Sequence, residues 1–139
     1  MTERNIQDWQ TPTGWRVRRD AALAEKAYAD GWWQDETCAA HLDRIASAEP
    51  ERCLVVEGDV IITAAALRDR AQRLAGNMLA RFSPGSVVSF MLPNWHEAAT
   101  IYMAATYAGM VAHPILPSLR DHDLRFMLAD VGAKMIFVP

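Results

Sequence analysis

The sequence predicts an α/β fold: a parallel sheet with covering helices, joined to a β-hairpin and a helical N-terminal leader. Three observations carry this. β-rich segments alternate with helix-period segments from Cys53 to Pro139. The run Ser86-Val87-Val88-Ser89-Phe90-Met91-Leu92 has little polar/apolar alternation, as in strands covered on both faces. Glycine or proline punctuates nearly every junction. Segments of this length and order build parallel β-α-β units.

Residues 1–14 keep no period and contain Pro12 and Gly14, so a draped leader is expected there. Residues 16–30 read as a helix with Val17, Ala21, Ala24, Ala27 and Tyr28 on one face. Arg16, Arg18 and Arg19 form its solvated start, and Gly31 its end. Trp32 and Trp33 follow, expected to staple this helix onto the main body rather than to line a ligand groove. Thr37 is an N-cap for a second helix over 38–48, with Leu42 and Ile45 inward, and Pro50 stops it.

The β-branched runs on either side of Glu57-Gly58-Asp59 predict a hairpin. Thr63 caps a helix over 64–82, whose Leu67, Ala71, Leu74, Met78 and Phe82 recur at four, three, four and four residues. After the 86–92 strand, Asn94 and Glu97 predict a capping box for an alanine-rich helix over 95–108, closed by Gly109. A strand over 111–115, a helix over 121–131 and a last strand over 134–138 complete the order. The expected organisation is a helical leader over 1–50 and an α/β unit over 51–139.

With 139 residues, 51% of them hydrophobic, the chain is long enough for one real core. A net charge of −3 without a basic stripe argues against a nucleic-acid partner. Cys38 and Cys53 make no disulfide framework and suit a reducing compartment. The polar Met1–Asn5 start carries no signal peptide, and no apolar run approaches the ~20 residues of a bilayer span, so a cytoplasmic protein is expected.

Catalytic patterns are sparse. The closest glycines, Gly76 and Gly85, lie nine positions apart, which leaves neither a dinucleotide fingerprint nor a Walker loop. Cys38 and His41 have a C-x-x-H spacing but no second pair to complete a structural zinc site. His96-Glu97 opens like a metalloprotease helix, but Thr100 stands where the second histidine belongs. It reads as a helix first turn with Glu97 at the positive end of the dipole. Asp121-His122-Asp123 reads as an acidic helix start with an exposed histidine, and no G-x-S-x-G elbow occurs.

The order of Thr63 at a helix start, Leu92-Pro93-Asn94 after a strand, and Ala108-Gly109-Met110-Val111 followed by Pro114 and Pro117 resembles the N-terminal region of the adenylate-forming acyl-CoA synthetases. The likeness covers residues 50–139 well and 31–50 loosely. Ala64 and Ala66 replace the family's aromatic and glutamate after the capping threonine, so its usual capping box is lost. The leader Gly31-Trp32-Trp33 and the run His113-Pro114-Ile115-Leu116-Pro117 look most like the branch acting on medium-chain or cyclohexane-type carboxylates.

The resemblance implies a partial N-domain of an enzyme that joins a carboxylate to ATP, releasing pyrophosphate, and then exchanges AMP for coenzyme A. ATP, Mg²⁺ and coenzyme A would serve that parent enzyme. Its phosphate loop, adenine segment and catalytic lysine would lie beyond Pro139, so no catalytic residue, no metal ligand and no cofactor is assigned to this piece. Arg120 alone is a candidate contact for a coenzyme A phosphate, with surface solvation as its plainer role. The rest of the parent chain is the expected partner. Exposed apolar faces predict self-association of the isolated piece, which a concentration-independent monomer in light scattering would contradict.

The alternatives are a short non-enzymatic α/β binding or interaction module and, more remotely, a nucleotide-binding oxidoreductase domain. A reading frame that continues into a Ser/Thr/Gly-rich loop separates the first reading from the module, and NAD or dye binding tests the last.

Overall fold

The computed structural model describes residues 6–10, 14 and 16–139. They divide into two units, Met1–Glu36 and Thr37–Pro139.

In the first unit, β1 (Ile6–Gln10) pairs antiparallel with β2 (Arg16–Asp20), in register from Ile6 opposite Asp20 to Gln10 opposite Arg16. Helix α1 then runs over Ala21–Ala29. This corrects the expected helix over 16–30, which starts five residues late. Among residues 16–19 only Val17 is apolar, so the segment has no stripe to bury as a helix, whereas β1 satisfies its backbone groups. Asp20 is the natural start: its Oδ1 accepts from the Leu23 N–H at 3.1 Å. The Arg16–Arg18–Arg19 cluster therefore sits on an exposed strand rather than a helix, with Arg16 paired to Asp8.

The draped leader is also corrected over Ile6–Gln10, while its residues 1–5 and 11–13 lie outside the described residues. The ring contact of the tryptophan pair is local: Trp33 meets Tyr28 edge-on, with centroids 5.7 Å apart, and Trp32 is 81% exposed.

The second unit opens with α2 (Cys38–Ala48), capped by Thr37 Oγ1 accepting from the Ala40 N–H at 3.1 Å. Strands β3 (Cys53–Glu57) and β4 (Val60–Thr63) form the expected hairpin, with Glu57 opposite Val60 across Gly58-Asp59. Gly58 adopts φ +54°, the left-handed backbone such a turn requires. Thr63 caps α3 (Ala64–Leu79), accepting from the Ala66 N–H at 3.3 Å.

Then follow β5 (Val87–Phe90), α4 (His96–Tyr107), β6 (Val111–Pro114), α5 (Asp121–Asp130) and β7 (Met135–Phe137). The three strands form a parallel sheet in the order β6-β5-β7. All four residues of central β5 are buried, the physical meaning of its missing alternation.

The main core joins Ala71, Ala75 and Met78 of α3 to Ile101, Ala104 and Ala105 of α4, over Val88 and Phe90 of β5. Alanines on both helices allow close approach of the backbones. A smaller cluster packs Leu42 of α2 against Ile62 of β4 and Leu67 of α3. Tyr107 tightens that corner. Its hydroxyl donates to Asp43 Oδ1 at 2.6 Å, and Gln72 Nε2 donates to the same oxygen at 3.2 Å. Burial first, and then the bond to Asp43, push the Tyr107 phenol well above its usual range. Through Leu42 and Asp43, α2 belongs to the larger unit. The division into compact units falls at Glu36/Thr37.

Candidate functional site

Open parallel sheets bind ligands beyond the carboxyl ends of their strands, where chains diverge and helix N-termini converge. A groove of about 530 Å³ occupies that position. Its floor is Leu92 after β5 and Phe137, Val138 and Pro139 at and after β7. The groove is also lined by Arg70 and Leu74 of α3 and by Trp95, His96, Glu97, Thr100 and Ile101 at the start of α4. An apolar body with a few convergent polar groups is the usual make-up of a small-molecule pocket.

The polar corner is organised across the fold. Helix α4 begins at His96, and Trp95 at its N-cap position offers no side-chain bond. The capping box expected from Asn94 and Glu97 is thus corrected. Glu57, at the end of β3, replaces it: its Oε2 accepts from the His96 backbone N–H at 2.6 Å and lies 2.9 Å from the ring Nδ1. The other ring nitrogen, Nε2, lies 3.3 Å from Glu97 Oε1. Thr100 Oγ1 donates to the His96 carbonyl at 3.0 Å. A carboxylate at a helix N-terminus gains from the unsatisfied N–H groups and the dipole.

The bond from the His96 backbone N–H, followed by that from its ring, holds the Glu57 carboxyl below the usual carboxylate range. The sign follows. A depressed folded-state pKa contributes stability above the unfolded-state value, and that stability is lost as pH falls through the folded value. The urea midpoint is therefore expected to fall as pH drops from about 5.5 to about 3, and Glu57→Gln is expected to flatten part of that fall. Parallel slopes for the two proteins would remove Glu57 from this account.

The sequence pattern did not single out Glu57, because the hairpin turn explained it locally and its target lies 39 residues on. Ser89 was read only as a strand residue. It is buried at 0% exposure, and its Oγ lies 3.0 Å from His113 Nδ1 in the register partner on β6. A lone serine inside an apolar strand was the available signal.

The other candidates stay apart. His41 Nδ1 lies 2.7 Å from Arg44, with Cys38 exposed one turn away. Asp121 pairs with Arg125 at 2.8 Å, and His122 is exposed. Arg120 occupies the N-cap position of α5 with an exposed side chain. No helix among the described residues is long and apolar enough to cross a membrane.

The family profile described as "AMP-binding enzyme" matches residues 26–139. The chain belongs to the AMP-binding enzyme family. It is 37% identical over 111 residues to a medium-chain fatty-acid–CoA ligase of Escherichia coli K12, covering 78% of this chain and 20% of that one. A salicylyl-CoA synthase / salicylate adenylyltransferase of a Streptomyces species is 31% identical over 117 residues, covering 84% and 21%. The solved N-terminal domain of FACL13 from Mycobacterium tuberculosis, bound to an inhibitor, superposes with a TM-score of 0.70 at 28% identity, over 74% of this chain and 27% of that one. The chain thus spans about a fifth of the length of the curated relatives it matches. Within the AMP-binding family it supplies a parallel sheet and its covering helices, the α/β expectation that the sequence raised.

Proposed function

We propose that this chain is the N-terminal scaffold of an ATP-dependent acid–thiol ligase that converts a carboxylic acid, ATP and coenzyme A to acyl-CoA, AMP and pyrophosphate. The observation that carries the reading is the 37% identity to a medium-chain fatty-acid–CoA ligase, spread over 111 residues rather than confined to one motif. A medium-chain or alicyclic acid is the substrate class that likeness favours.

The described residues supply no glycine-rich cradle for a triphosphate. Their glycines sit singly, at turns, helix ends and within α3. The chain's own contribution is therefore structural: α3 and α4 cover the sheet, and Glu57 fixes the start of α4. Arg120 is the candidate contact for a coenzyme A phosphate, with surface solvation as its plainer role. Its exposure supports access, while Asp121 and Asp123 in the next turn reduce the local positive potential. Exposed apolar side chains, Leu116 and Phe126 among them, are the surface offered to the rest of the enzyme or, in isolation, to a second copy. A cytoplasmic location belongs to the same reading.

Incubation of this chain with ATP, Mg²⁺, coenzyme A and octanoate is expected to release no pyrophosphate above background. A polypeptide extended along the reading frame past Pro139 is expected to release it in an acid-dependent manner. Turnover by the 139-residue chain alone would overturn the scaffold role. A stop codon directly after Pro139 would favour the non-enzymatic α/β interaction module instead.

A further inference from the structure

Glu57, His96 and Glu97 each bring a ligating atom within 4.8 Å of the others, at the polar corner of the groove. Glu57 Oε2 accepts from the His96 backbone N–H and lies 2.9 Å from the ring Nδ1, while Nε2 faces Glu97 Oε1 at 3.3 Å. A doubly protonated ring donates to both carboxylates; in the tautomer that donates only Nδ1–H to Glu57, the Nε2 lone pair points at Glu97. Two acceptors at that separation repel unless a positive centre joins them. A proton does this along a line. A metal ion does it at an angle, and the distance fits: two bonds of about 2.1 Å spanning 3.3 Å subtend about 100–105°, close to tetrahedral.

The surrounding contacts match the second requirement of a metal histidine. Its other ring nitrogen is held by a carboxylate that fixes the tautomer and the ring plane, and Glu57 is in that place.

We propose that His96 Nε2 and Glu97 bind a divalent cation of the zinc class, with Glu57 as the positioning carboxylate. One imidazole and one carboxylate favour a borderline ion over Mg²⁺ or Ca²⁺, which take oxygen ligands. Two protein ligands leave coordination positions open, and both residues line the groove, so those positions are available to water or to an anionic ligand seated there. The site is separate from the ligase activity proposed above and stands or falls without it.

The test is a Zn²⁺ titration of the ¹⁵N-labelled chain carrying Cys38→Ser and Cys53→Ser, which removes the competing exposed thiols. The readout is the imidazole nitrogen resonances of His96. Zn²⁺ is expected to shift Nε2 saturably at one equivalent, and Mg²⁺ at the same concentration to leave it in place. Glu97→Gln is expected to weaken the Zn²⁺ effect by about tenfold or more, and Glu57→Gln by about ten- to a hundredfold. Backbone amide spectra report whether each variant folds. If Glu57→Gln does not, the parent and Glu97→Gln decide the matter. A His96 ring unmoved by millimolar Zn²⁺, or undiminished binding by folded Glu97→Gln, overturns the site.

Discussion

Replacing Phe90 by alanine is expected to lower the unfolding free energy by about 3–5 kcal/mol, while the same truncation at Phe126 changes it by no more than about 0.5 kcal/mol. The two side chains lose the same atoms, so the contrast isolates burial. Phe90 is 5% exposed, on the central strand, within the cluster formed by α3 and α4. Two parallel neighbours hold its backbone, Pro114 opposite on β6 and Phe137 opposite on β7, so the void cannot close by a strand shift. Phe126 lies on α5 with 66% of its surface in solvent. Urea midpoints at an unchanged denaturant slope give both numbers. Equal losses at the two sites would mean that the sheet's covered face is not the stabilising core.

How much was legible depended on whether the stabilising partner was near in sequence. Thr37 and Thr63 were readable as caps because each serves an amide three residues on. The hairpin was readable because Gly58-Asp59 both turns the chain and fixes its register. The stripe of α3 and the weak alternation of β5 gave the layers directly. Failures came where a distant partner outweighed a local signal. Asn94 and Glu97 satisfied the capping pattern, but Glu57 reaches the helix start from another element and completes it. Residues 16–20 passed for a helix start until β1 offered them backbone partners.

The same logic limited the candidate site. His96-Glu97 was visible only as a first turn, since its third member lies 39 residues earlier. The Ser89–His113 contact, 24 residues apart, needed the parallel register to appear.

A chain begun at Thr37 is expected to unfold cooperatively, whereas one begun at Glu51 is expected to lose most of its stability. The reason lies in what α2 covers. Leu42 closes the cluster with Ile62 and Leu67, and Leu42→Ala alone should cost about 2–5 kcal/mol. Removing the whole helix also strips Ala39 and Ala46 from the core and takes Asp43 away from Tyr107 and Gln72. Against a total of about 5–15 kcal/mol for a typical domain, that loss is decisive. Circular dichroism through a urea series compares the two chains directly. A chain over 51–139 with the same midpoint as one over 37–139 would make α2 dispensable and return the boundary to residue 50. The expected outcome instead ties α2 to the sheet, because Leu42 is buried against Ile62 and Leu67, whereas the residues of 51–139 packed around that pair, Leu54, Val55, Met103 and Tyr107 among them, are only partly buried.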